Sequence, residues 1–83
     1  MSYTWDHIDD YYFTVINNIE LNIRAYDNNS IHLWAYCHDN NLEMIDDTFQ
    51  SLQEIHLVLN KNLKYKITLP KLEDLLQIQE QGA

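Results

Sequence analysis

The chain has 83 residues, a net charge of −8 and one cysteine, Cys37. That length supports one domain with a modest core, burying about 60 % of the surface its unfolded chain exposes. An apolar fraction of 46 % excludes a disordered chain, and a lone cysteine excludes a disulfide framework.

The first predicted elements are three strands. Glycine and proline occur once each, so asparagine serves as the turn residue, since it tolerates left-handed backbone angles. Asn17-Asn18, Asn28-Asn29 and Asn40-Asn41 punctuate runs rich in β-branched and aromatic residues. The spacing predicts a β-meander with strands over 11–16, 19–26 and 31–38. A two-residue turn at Asn17-Asn18 pairs Ile16 with Ile19. It places Tyr12, Thr14, Ile16, Leu21, Ile23 and Ala25 on one face. At the second turn, a three-residue loop from Asn28 to Ser30 sets Leu33 opposite Ala25 and Ala35 opposite Ile23, which unites the aliphatic rows. The other face then gathers Tyr11, Phe13, Tyr26, His32, Trp34, Tyr36 and His38 around Glu20 and Arg24. That is a large aromatic area to leave wet, so either a helix covers it or a partner does.

From Asp46 the period becomes helical, through Ile45, Phe49, Leu52 and Ile55 or His56. Asp46 or Asp47 can cap this helix. Residues 55–59 could continue this helix, but Leu57 and Val58 fall off its apolar stripe, so the preferred reading is a short strand. That strand forms a hairpin through 60–62 into a second strand over 63–69, whose wet face carries Lys64 and Lys66. Pro70 suits the first turn of a final amphipathic helix bearing Leu72, Leu75, Leu76 and Gln79. The expected fold class is α+β: an antiparallel β-meander of four to five strands in one domain, with a central helix and a C-terminal amphipathic helix.

Catalytic chemistry finds no foothold. His32, Cys37 and His38 lack the paired spacing of a zinc site, and Cys37 projects to the other face from both histidines. The serines stand in no nucleophile signature, and the scarcity of glycine excludes a phosphate-cradling loop. Asp9-Asp10, Asp46-Asp47 and Glu73-Asp74 sit near predicted element ends, where capping and solvated acids belong. No lysine has an acid two residues before it, as many metal-dependent nucleases do. Neither an enzyme nor a cofactor is expected. No apolar run is long enough for a signal or a membrane span, and the expected setting is the cytoplasm.

The acidity is uneven. Residues 1–59 carry ten acids and one base, Arg24, for −9, whereas residues 60–83 carry +1. Phosphate contacts need a basic face, so direct nucleic-acid binding is disfavoured and a protein with a basic surface is the expected partner. The candidate partner-binding residues are the acids Asp39, Glu43, Asp46, Asp47 and Glu54, with Asp9 and Asp10, beside which Asp6 also falls, and the aromatic anchors Trp34 and Tyr36. The bland alternatives are a solvated acidic face and a Trp34 packed under a helix. In size, acidity and lack of catalytic residues the chain resembles two broad groups. One is the small phage inhibitors of bacterial defence, including anti-CRISPR proteins and DNA mimics. The other is the immunity proteins and antitoxins that cap nucleases. Both imply negative charge presented to a basic nucleic-acid groove. A structural homodimer built on the aromatic face is the third possibility.

Overall fold

The computed structural model describes residues 4–63 and 67–81, with side chains through Ile78. Among these residues, β1 (Asp6–Ile8), β2 (Tyr11–Ile16), β3 (Ile19–Asp27), β4 (Ser30–Cys37) and β5 (Leu42–Phe49) form one antiparallel sheet in sequence order. Helices α1 (Leu52–Asn62) and α2 (Leu72–Gln81) follow. The architecture is an α+β meander with a central and a C-terminal helix.

The turns explain the register. Asn17 and Asn18 take φ of 49° and 65°, and Ile16 pairs with Ile19 as the sequence implies. Two successive left-handed residues match the twist of the flanking strands. At the next hairpin Asp27 pairs with Ser30 across Asn28-Asn29, and the Asp27 carboxylate accepts the Asn29 N–H at 2.8 Å. Neither Asn28 nor Asn29 is left-handed. A bulge between Ala25 and Asp27 makes up the difference in twist, and Ala25 then meets Ile31 and Ile23 meets Leu33. The face expected for Leu33 is correct, but its partner is Ile23 rather than Ala25, one pleat away. The cause is a two-residue turn plus a bulge in place of a three-residue loop.

Alternation then decides which side is buried. Leu21, Ile23, Ala25, Ile31 and Leu33 are fully buried on one face, joined by Ile55 and Leu59 of α1 and Leu75 of α2. Both helices therefore lie on the aliphatic side. Full burial of each leucine or isoleucine contributes about 1.5–3 kcal/mol relative to exposure, so this face carries the stability.

The second half of the chain departs from the sequence reading in three places. Asp46 and Asp47 do not cap a helix; they lie in the middle of β5. The cap is Ser51, whose hydroxyl accepts the Glu54 N–H at 3.3 Å, while the Glu54 carboxylate accepts the Gln50 N–H at 3.0 Å. This reciprocal arrangement satisfies backbone donors that the helix start leaves unpaired. Residues 55–59 are helical rather than a strand. Ile55 and Leu59, four apart, are buried, and Leu57 is 63 % exposed. Leu57 broke the stripe because it faces water. Finally, residues 67–71 form no strand: Ile67 is buried in a segment without regular structure, and the Trp5 indole N–H donates to the Thr68 carbonyl. Leu63, where that strand was expected to begin, is the C-cap of α1 and is buried, and residues 64–66, with Lys64 and Lys66, lie outside the described residues. No helix of the described residues is long and apolar enough to cross a membrane.

Candidate functional site

The face of the sheet opposite the helices is left uncovered among the described residues. The meander lays its side chains out in rows. One row crosses all five strands as Asp6, Phe13, Asn22, Trp34 and Asp46. The next runs Val15, Glu20, Tyr36 and Glu43. A third holds Arg24, His32 and Thr48, with Tyr11 and Ile8 toward the β1 edge. Strands lie about 4.8 Å apart, so adjacent members of a row are in reach of one another. Each of the first two rows ends in a carboxylate on β5, and the first also begins with one on β1.

The aromatic groups form two clusters, one on β2 and one on β4, with the polar side chains of β3 between them. The rings of Trp34 and Tyr36 stack at 5.4 Å between centroids and 13° between planes. His38 meets Tyr36 edge-on at 4.9 Å, and Tyr11 lies 6.4 Å from Phe13. Trp34 and Tyr36 are half-buried, while Ile8, Val15 and Tyr26 on the same side are 47 %, 54 % and 47 % exposed. These apolar side chains are interleaved with Glu20, Asn22 and Arg24 of β3.

Polar groups tie this surface into a charged frame. Arg24 pairs with Asp10 at 2.5 Å and stacks over the Tyr26 ring at 5.0 Å. His32 bonds Asp46 at 2.5 Å, and His38 bonds Glu20 at 3.1 Å. The second oxygen of Glu20 accepts from the Asn22 amide at 3.1 Å. A depression of about 260 Å³ opens between Tyr11, Arg24, Tyr26, His32 and Trp34. Beside it, Asn22 Oδ1 and Arg24 Nε are buried without a hydrogen-bond partner. The His32 hydrogen bond holds the Asp46 carboxyl below its ordinary range, against a smaller opposing effect of desolvation.

The fold brings together only part of the predicted acid set. Trp34, Tyr36, Glu43, Asp46 and Asp10 share the uncovered face. Asp9 sits at the tip of the β1–β2 turn with φ 55°. Asp39, in the β4–β5 loop, accepts the Asn18 amide at 2.9 Å. Asp47 pairs with Leu33 and so leaves β5 on the helix side, exposed. Glu54 is engaged in the α1 cap. Asp6 joins the face because Asp9-Asp10 is a hairpin turn. The sequence places Asp9-Asp10 near an element end, and the structure makes the pair the β1–β2 turn. No group of three histidine, cysteine, aspartate or glutamate side chains gathers as metal ligands would among the described residues. Comparisons with protein-family models, with curated proteins and with solved structures find no match.

Proposed function

We propose that the chain is a small acidic inhibitor that docks on a basic surface of a nucleic-acid-handling protein, as phage anti-defence proteins of the anti-CRISPR or DNA-mimic kind do. The observation that carries this reading is the uncovered aromatic sheet face with carboxylates at both edges. Its aromatics supply desolvatable anchor area, and its acids steer encounter with a cationic partner. The same charge disfavours a second copy as the occupant. Two such faces would set Asp6, Glu20, Glu43 and Asp46 of one copy against the like-charged frame of the other, and like charges across an interface are repelled. A nucleic acid is disfavoured for the same reason. The site of action is the cytoplasm in which the partner works.

The test is affinity capture from a bacterial lysate at low salt, followed by mass spectrometry. A nucleic-acid-handling protein should be recovered. Its capture should fall steeply as salt rises and be displaced by the partner's own nucleic acid. Recovery of no such protein at low salt would overturn the proposal.

A further inference from the structure

Resting on that docking reading, we infer that the partner segment inserts an arginine side chain, whose guanidinium sits on the Trp34–Tyr36 stack against the carboxylates of Glu43 and Asp46. The row geometry is what selects this ligand. Tyr36 is flanked directly by Glu20 on β3 and Glu43 on β5, and Trp34 is flanked by Asn22 and Asp46. Two adjacent aromatic rings are thus bordered by three carboxylates. Glu43 and Asp46 stand on the same side of the edge strand, beside Tyr36 and Trp34 respectively. A bulge between Ala35 and Tyr36 brings them together: Tyr36 takes Glu43 and Ala35 takes Ile45, so Met44 is the extra residue. Neighbouring like charges repel, and a cation placed between them relieves that repulsion.

The carboxylates have capacity left. His32 occupies one Asp46 oxygen, and each ionised carboxylate offers about four acceptor sites. Arg24, the one arginine or lysine on this face among the described residues, cannot fill the role. It belongs to the adjacent row, where Asp10 and the Tyr26 ring already hold it. The stacked rings favour a guanidinium over an ammonium. A guanidinium is planar, lies flat on an indole or phenol face, and still forks two N–H donors to a carboxylate at its edge. An anion is excluded by the same three acids.

The experiment titrates the intact chain with a short arginine-bearing peptide, and with otherwise identical lysine and citrulline peptides, while following the indole N–H resonances. Trp34 should shift with the arginine peptide. Trp5, whose indole is bonded to the Thr68 carbonyl on the far side of the sheet, should not. Lysine should bind more weakly by about fivefold, and neutral citrulline should not bind measurably. Two double variants carry the same change in net charge. E43Q/D46N should weaken arginine binding about tenfold, the scale of losing hydrogen bonds to charged groups. D9N/D47N, on the turn and the helix side, should change it by less than about twofold, the scale of screened distant charge. Far-UV circular dichroism checks that both variants keep the fold. Equal weakening by the two pairs, or citrulline binding as tightly as arginine, would overturn the inference and leave only general acidity. If the peptide fails to bind while lysate capture succeeds, the arginine site falls and the inhibitor reading stands. Arginine binding at Trp34 with no nucleic-acid-handling protein captured supports the site and removes the inhibitor reading.

Discussion

Leu33 and Trp34 are neighbours on β4 that point to opposite sides of the sheet, and truncating each measures what covers that side. Leu33 is fully buried between Ile23 and the helices. Leu33→Ala removes three carbons from a packed core and leaves a cavity, which costs about 3 kcal/mol. A domain of this length has a total stability on the order of 4–12 kcal/mol, so the loss is a large share of it. Trp34 is half-buried and packs on Tyr36 and the sheet surface rather than under a helix. Trp34→Ala forfeits the ring stack and part of its area, about 1–1.5 kcal/mol, whereas a tryptophan sealed in a core would cost about 3–5 kcal/mol. At about 4–8 °C per kcal/mol for a domain of this size, Leu33→Ala should melt more than about 12 °C below the parent. Trp34→Ala should melt roughly 4–12 °C below it. Urea unfolding followed by far-UV circular dichroism gives both free energies at matched m-values. A Trp34→Ala loss equal to or larger than that of Leu33→Ala would refute the one-sided packing, because it would require a layer over the aromatic face.

Three further outcomes follow from local geometry. Ser51→Ala should destabilise by about 1 kcal/mol through loss of the α1 cap, measured by the same unfolding curves, whereas Asp47→Asn on β5 should change stability by less than about 0.5 kcal/mol. Asn18 holds φ at 65° and donates to Asp39, so Asn18→Val should cost more than about 1 kcal/mol and Asn18→Gly only a few tenths; equal effects would remove the turn argument. In carboxyl NMR, Asp46 should titrate below its ordinary value, and His32→Phe should move it back up. Because the folded value is the lower one, the stabilisation is present above the unfolded value and is lost as pH falls through the folded one. An Asp46 titration indifferent to His32 would contradict the pairing.

Much of the sheet was legible because asparagine turns and strict alternation act together. Ile16 to Ile19 follows from Asn17-Asn18 alone, and the two faces of β2 and β3 follow from that pairing. The one-pleat offset at Leu33 was not legible, since a two-residue turn plus a bulge at Tyr26 gives the same side-chain faces as a three-residue loop while moving the partners. β5 was missed for a related reason. Met44 interrupts its alternation, and Asp46-Asp47 in an edge strand look like helix-capping acids. Such charges suit an edge, where they discourage pairing with another chain. The true cap was in plain view as Ser51-Gln53-Glu54 spacing, Ser-x-x-Glu, but the earlier acids drew the boundary upstream. The aromatic half of the candidate site could be read from alternation. Of its acidic half only Glu20 could be placed on that face, because which other carboxylates border Trp34 depends on two edge strands. Those strands bring in Asp6, Glu43 and Asp46 and turn Asp47 away.

The central claim is that the uncovered sheet face, not the molecule's bulk acidity, meets the partner. Site-specific photocrosslinking tests it directly, with a benzophenone side chain replacing Tyr36 in one variant and His56, exposed on α1, in another. The account predicts a crosslink from position 36 to a nucleic-acid-handling protein, and none from position 56. Crosslinks of equal yield from both positions, or from position 56 alone, would contradict it.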